Sequence, residues 1–334
     1  MNMIFIQIPV LMRREKETCE GKMKKFDVTA LGEILIDFTE SGVSENGMRL
    51  FEQNPGGAPA NVLSAVVHLG GKAAFIGKIG KDMHGAFLRG TLKKCGIDTR
   101  GLIETEEGFT TLAFVALSDG ERSFSFARKP GADTLLTKEE VDYGRIRESR
   151  IFHIGSLSLT DEPVKTASLA AIEAAKKENC IVSYDPNYRA SLWKDEETAK
   201  VAMRSLLPYA DVVKISDEET VLLTGCKSVE EAGAVLIEKG ATVALVTCGG
   251  DGAYICTREG GIQIPAEGGK PVDTTGAGDA FMGGFLYQLA KAEKKPETLS
   301  LTEVAEFARF AAKVAGVCIS RRGAINAMPT IEEL

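Results

Sequence analysis

Histidine is scarce, the cysteines stand apart from one another, and no apolar run is long enough to span a bilayer. The 334-residue chain has three histidines, and its seven cysteines, at 19, 95, 180, 226, 248, 256 and 318, never fall at CxxC spacing. That spacing speaks against a structural zinc centre, and an odd count against a disulfide framework. Buried, reduced cysteines in a cytoplasmic protein are the expectation. A membrane span needs roughly 20 apolar residues, and nothing here approaches that, so no membrane partner is expected. The formal net charge is -7, which leaves no basic field to attract nucleic acid. Two nucleotide fingerprints are also missing. There is no G-x-x-x-x-G-K-[ST], and no G-x-G-x-x-G after the first strand. Walker-type and dinucleotide-fold readings lose their main support. Internal repeats, low-complexity tracts and flexible linkers are absent too.

The first residues fit no common targeting pattern. Met1 to Met12 is apolar, but Arg13 and Arg14 follow it, whereas a secretory signal carries its charge first. Met23 opens MKKFDV, a natural start for a first strand. Residues 1–22 are expected to be a poorly ordered extension or the product of an upstream start codon, with one domain over 23–334.

What is present is alternation. Strand candidates lie at 27–36, 73–79, 150–154, 180–185, 210–213 and 242–247. Helical patterns lie between them, near 58–69, 83–95, 163–178, 195–206 and 228–239, and two more close the chain at 276–290 and 302–318. Such a rhythm predicts a mostly parallel sheet with helices on both faces. Residues 35–53 and 110–128 break it and read as paired strands. The second pair turns at Asp119-Gly120, a strong hairpin signal. Such an excursion could cover a ligand, or simply extend a sheet edge. Phe124 and Phe126 on its second strand are either core residues or lid residues that exclude water.

The most informative stretch is Asp273-Thr-Thr-Gly-Ala-Gly-Asp279, which opens an amphipathic helix through Ala280, Phe281, Phe285 and Leu289. Thr275 is placed to cap it. Gly276 and Gly278 fall in its first turn, where each glycine costs about 1 kcal/mol relative to alanine. Close approach of a ligand to the backbone would offset that cost, and a helix N-terminus favours an anion such as a phosphoryl group. Asp279 is then either a carboxylate that favours a helix N-terminus or a general base beside an anion site.

Other segments carry weaker signals. Thr247-Cys-Gly-Gly-Asp-Gly252 follows an apolar strand, and can be a phosphate loop or a hairpin turn. Gly56-Gly-Ala-Pro-Ala-Asn61 precedes a helix; its glycines let backbone approach a small ligand, and Asn61 offers donors and an acceptor. Asp37 ends the first apolar strand, where it could accept from two vicinal hydroxyls or close a turn. Arg189, in Asp185-Pro-Asn-Tyr-Arg189, follows another strand, at the end where open α/β sheets collect ligands. It could hold a phosphate or sugar oxygen, or be a surface charge.

Together these segments resemble the ribokinase-like (PfkB) family of carbohydrate kinases. GGAPANVLSAVVHLGGKAAFIGKIGKDMHG at 56–85 and DTTGAGDAFMGGF at 273–285 match its two signatures, and the likeness runs from about Lys24 to Pro329. The resemblance implies a three-layer αβα sandwich, with a mostly parallel central sheet and a small β-sheet lid from about 36–53 and 108–129. It implies Asp279 as catalytic base, with Gly276, Ala277 and Gly278 as the anion hole. Asp37, Gly56, Gly57, Asn61, Phe126 and Arg189 would contact the sugar. Lys214, Ser216, Glu219, Thr247, Gly249 and Gly252, with Gly276 and Gly278, would serve ATP. Mg2+ would be assisted indirectly by Glu219, although Ser216 stands where the family often has Asn in its Asn-x-x-Glu segment. A K+ site would involve Asp273 and Thr275, completed by carbonyls around Arg322-Gly323. GEILIDF, NPGGAPANV, RSFSFARKPGAD and KISDEE look most like fructokinase-type members. D-fructose is thus the expected sugar, and 2-keto-3-deoxygluconate the alternative, with Arg128 and Lys129 as candidate partners for its carboxylate. A non-catalytic sugar-binding regulator is the reading from another class, although a sensor has no need of a base. A thin, two-sided lid sheet buries little by itself, so a homodimer is expected.

Overall fold

Strands that are apolar on both faces must be covered on both sides, and the central strands of this chain are of that kind. Adjacent residues divide between two cores: Val212 and Leu245 face one, Val213, Ala244 and Val246 the other. The computed structural model describes residues 24–118 and 121–334. Residues 1–22 and the Asp119-Gly120 turn therefore lie outside the described residues, as does the side chain of Phe124.

The first half of the chain contains β1 (Phe26–Leu31), β2 (Leu35–Val43), β3 (Arg49–Gly56), α1 (Ala58–His68), β4 (Ala73–Gly80), α2 (Met83–Cys95), β5 (Asp98–Thr105), β6 (Leu112–Ser118) and β7 (Glu121–Ala127). Then come α3 (Tyr143–Arg147), β8 (Ser149–Ile154), α4 (Val164–Lys177), β9 (Ile181–Tyr184), α5 (Glu196–Ser205), β10 (Val212–Ser216), α6 (Thr220–Thr224) and α7 (Val229–Glu238). The chain closes with β11 (Val243–Thr247), β12 (Ala253–Thr257), β13 (Gly260–Ile264), α8 (Ala277–Ala292) and α9 (Leu301–Cys318).

Nine strands form one sheet in the order β13-β12-β11-β10-β9-β8-β1-β4-β5, in which only β12 runs opposite to the rest. Residues of α1, α2, α8 and α9 fill the core on one face, and those of α3, α4, α5 and α7 the other. The strand order reverses between β1 and β8, and in open α/β sheets the crevice at such a reversal, beyond the strand carboxyl ends, takes the ligand. A second sheet, β3-β2-β6-β7, stands apart from the first.

Two expectations need correction. Residues 27–36 are not one strand. The chain leaves the large sheet after Leu31, bends through Gly32-Glu33-Ile34, and enters the small sheet as β2. Gly32 packs against the Pro59 ring, where a side chain would not fit. In addition, β5, β12 and β13 are strands with no counterpart among the expected ones; Gly101 dilutes the apolar pattern of β5, and Gly260 and Gly261 that of β13.

Helix α8 is held from two sides. A Cβ on Gly283 would lie 2.7 Å from the Val62 carbonyl of α1, and one on Gly284 3.0 Å from Val314 of α9. The glycines let three helices approach closely. Phe281, Phe285, Leu286 and Leu289 then bury against the sheet, each worth about 1.5–3 kcal/mol.

Candidate active site

At the carboxyl ends of β1, β8 and β9, beneath the small sheet, lies a cavity of about 370 Å³. Strand periodicity sets its roof. Leu35, Asp37 and Thr39 alternate along β2 and all line it, as do Val115 of β6 and Phe126 of β7. Ala113 of β6 is in register with both Asp37 and Phe126, so the three form one row across the sheet. The intervening residues face away: Phe38 stacks on Phe114 with ring centroids 5.3 Å apart, and Phe51 meets Phe114 edge-on.

The floor is the head of α8. Gly276 is its N-cap, with φ of 77°, a left-handed conformation that suits glycine. Thr275 does not cap the helix as expected: its N–H and hydroxyl both donate to Asp273 Oδ1, at 2.9 and 2.7 Å. Among the described residues no side chain caps α8. Ala277 N–H donates to the Thr274 carbonyl at 3.3 Å, and the N–H groups of Gly278 and Asp279 are the ones placed to meet an anion. Gly276, Ala277, Gly278 and Asp279 all line the cavity, with Asp273 and Thr275 beside them.

Asp279 is buried and held by two amides. Asn61 of α1 donates to its Oδ2 at 2.8 Å, and Asn187 to its Oδ1 at 3.4 Å. Burial, with Asp185 nearby, pushes its carboxyl up to about 6, against the opposing pull of the Asn61 hydrogen bond, Lys214 and Arg189. Across the cavity, burial also pushes Asp37 up to about 6, Arg189 opposing and Asp279 reinforcing. A base poised near neutrality suits proton abstraction.

Gly57 and Asn61 line the same cavity, and Gly57 has φ of 109°. Gly56 does not line it. It supports Asp37 instead, because a Cβ there would overlap the Asp37 carboxylate. Arg189 reaches the cavity wall, and so does Lys214. Ser216, Glu219, Thr247, Gly249 and Gly252 lie outside the cavity lining. Ser216 pairs in register with Thr247 where β10 and β11 end, on the edge of the sheet where the cavity sits. The Gly249–Asp251 turn then leads into antiparallel β12. Both oxygens of Glu219 are engaged: Oε1 accepts from Tyr188 N–H at 2.7 Å, and Oε2 from Ser216 N–H and Oγ–H. It thereby ties the Arg189 segment to the end of β10.

Glu33 and Asn187 are among the cavity residues that escaped the sequence reading. Glu33 sits in the bend between the sheets, accepts from Ala58 N–H at 3.2 Å, and is pushed up to about 7 by burial. Asn187 was visible only as part of the Asp-Pro-Asn segment. Arg128, a candidate partner for a substrate carboxylate, is elsewhere. It is buried against Asp133, Thr160 and the Leu157 carbonyl, and Lys129 is exposed outside the cavity.

Among the described residues no group of three or more His, Cys, Asp or Glu could hold a metal. A hard divalent ion would draw its oxygens mainly from nucleotide phosphates. Asp273 is held by the Thr275 donors at one oxygen and by Gly323 N–H at the other, 3.1 Å away. The two loops expected around a monovalent ion thus meet at one fixed carboxylate. No helix among the described residues is long and apolar enough to cross a membrane.

A family model described as pfkB family carbohydrate kinase matches residues 25–331. A probable fructokinase-2 of Arabidopsis thaliana is 41% identical over 307 residues, covering 91% of this chain and 93% of its own. The crystal structure of fructokinase with bound ATP from Xylella fastidiosa aligns with a TM-score of 0.85 at 36% identity, over 92% of this chain and 96% of that one. A double mutant of fructokinase from Vibrio cholerae O395, in its fructose-, ADP- and potassium-bound form, aligns with a TM-score of 0.82 at 31% identity, over the same shares.

Proposed function

We propose, from the premise that this chain belongs to the pfkB family of carbohydrate kinases, that it transfers the γ-phosphoryl group of ATP to D-fructose. The products are fructose 6-phosphate and ADP. The observation that carries the reading is one carboxylate, Asp279, standing within the first turn of an uncapped helix and inside a lidded cavity.

In the proposed reaction a terminal sugar hydroxyl lies beside Asp279. Its proton passes to the carboxylate as its oxygen bonds to the γ-phosphorus, and the bond from phosphorus to the leaving oxygen breaks with its electron pair going to ADP. The N–H groups of Gly278 and Asp279, with that of Ala277 shared with the Thr274 carbonyl, face the charge on the transferred group, where donors fixed in advance cost no reorganisation. Asp37 and Asn61 orient the sugar, and Phe126 and Val115 close the roof against water. Arg189 supplies a cation at the wall. Thr247, Gly249 and Gly252 serve the nucleotide, whose Mg2+ neutralises phosphate charge. Fructose- and ATP-bound relatives support the substrate pair. Engagement of Arg128 by Asp133 removes one cation that a sugar acid would use.

Two assignments belong to the same proposal. A homodimer through the outer lid face is supported by the partly exposed Phe51 and Phe114 there; sedimentation as a monomer removes it. A monovalent ion beside Asp273 is supported by the meeting of its loop with Gly323; turnover indifferent to K+ removes it.

A coupled ADP-release assay over fructose, 2-keto-3-deoxygluconate, ribose and adenosine tests the substrate. Fructose is expected to lead in kcat/KM by at least about tenfold, a margin of roughly 1.4 kcal/mol. Clear turnover of another member without fructose turnover overturns the assignment. No turnover of any of them favours a sugar-binding regulator.

A further inference from the structure

The Asp185–Lys214 ion pair has no evident structural justification. Asp185 follows β9, and Lys214 lies on the neighbouring β10. Their charged atoms are 2.8 Å apart, with side-chain exposures of only 2% and 7%. Burying two charges costs several kcal/mol, which their attraction recovers only when the remaining polar atoms are satisfied. Here Asp185 Oδ1 is buried with no hydrogen-bond partner. The ammonium is also pressed against a helix head: Lys214 Nζ lies 2.8 Å from where a Cβ on Gly278 would stand. A cation is disfavoured at that end of a helix dipole. Only the negative charge gathered there offsets the placement.

We propose that the pair positions charge for the reaction: Asp185 seats the Lys214 ammonium against the first turn of α8, and the ammonium keeps Asp279 charged once sugar and nucleotide displace water from the cavity. This rests on the reading of Asp279 as the base. Two cations serve Asp279, and they differ in kind. Arg189 is exposed, so its field is screened by solvent and salt. Lys214 is buried, and its attraction survives when the cavity closes. Asp185 acts in the opposite sense, since it repels charge on Asp279.

Two other cavity carboxyls titrate in the same range: Asp37 on the roof, pushed up to about 6, and Glu33 in the bend after β1, pushed up to about 7. An acid limb in activity is therefore assigned to Asp279 by its response to the ion pair and not by its position alone. Around Asp279 stand Asp185, Lys214, Arg189, Asp37 across the cavity, and Cys318 of α9, whose thiol is pushed up to about 12 and is uncharged. Lys214 is further held charged by Asp185 and Glu219, while buried His153, pushed down to about 3, is neutral.

The test is kcat/KM for fructose against pH, at saturating MgATP, for wild type, Lys214→Met, Asp185→Asn and the double variant. The nucleotide's own titration is common to all four and cancels. A base must be deprotonated, so the wild-type activity falls below about pH 6, the value to which Asp279 is pushed. Lys214→Met is expected to move that acid limb up by about one pH unit, and Asp185→Asn to move it down, the double variant lying between. Loss of packing alone cannot give opposite signs. If Lys214→Met fails to fold, Asp185→Asn and the double variant, which strands no carboxylate, carry the comparison. Limbs that coincide with wild type, or that move in one direction together, overturn the proposal. A wild-type profile with no acid limb, or a turning-over Asp279→Asn, would instead remove the base reading beneath it.

Discussion

Asp279→Asn is expected to lower kcat by at least about 10³-fold, within the range removed with a general base, while the fructose Kd changes by less than about tenfold. The geometry supports both halves. The substitution keeps size and shape, so the α8 head and the roof stay as they are. Asn61 has a buried, unpartnered Oδ1, and a rotation of its amide would let that oxygen accept from the new amide in place of the present 2.8 Å bond. The pocket can therefore absorb the change. What it cannot restore is proton uptake, since an amide does not accept a proton at neutral pH. Isothermal titration with fructose and single-turnover kinetics separate the two effects. Turnover near wild type would remove Asp279 as the base, and a lost fructose affinity would make it mainly a binding residue.

Asp37→Ala is expected to act on the other constant. Its carboxylate projects from the roof strand, and Gly56 leaves room for it on the neighbouring strand. Hydrogen bonds to a charged group are worth about 1.5–3 kcal/mol each. Losing two to vicinal hydroxyls raises the fructose KM by at least about 100-fold, with kcat measured at saturating sugar reduced far less. Steady-state kinetics over a wide fructose range distinguish this from a fall in kcat. An unchanged KM would take Asp37 out of the sugar site.

The parts of this molecule legible in sequence are those with local signatures. Alternation announced the layered sheet, and the glycine-rich helix head announced the floor of the cavity. Residues 35–53 and 110–128 announced paired strands, although not that β2 and β6 would run parallel beside each other. The bend at Gly32 was hidden because Ile34, Leu35 and Ile36 resume the apolar pattern directly after Gly32-Glu33. β5 and β13 were hidden because glycine and polar residues interrupt them, and hydrogen bonding to neighbours, not composition, makes them strands. Glu33 and the Asp185–Lys214 pair were hidden for another reason. Their meaning lies in what the fold places next to them: Ala58, 25 residues on from Glu33, or the helix head across from Lys214. The Thr275 cap failed because Asp273, two residues earlier, competes for the same hydroxyl.

Close packing at Gly283 has a consequence for how this enzyme could change. A helix rises 1.5 Å per residue, so sliding α8 along α1 by a single position would carry Asp279 about that far from Asn61 and break their bond. The proposed base is therefore calibrated by interhelical spacing one turn below it. The roof shares none of that calibration. Side chains on β2, β6 and β7 can be exchanged without shifting the register of α8 against α1. Acceptance of a new sugar and retention of phosphoryl chemistry are thus separable problems in this fold, and the first can be explored while the second stays fixed.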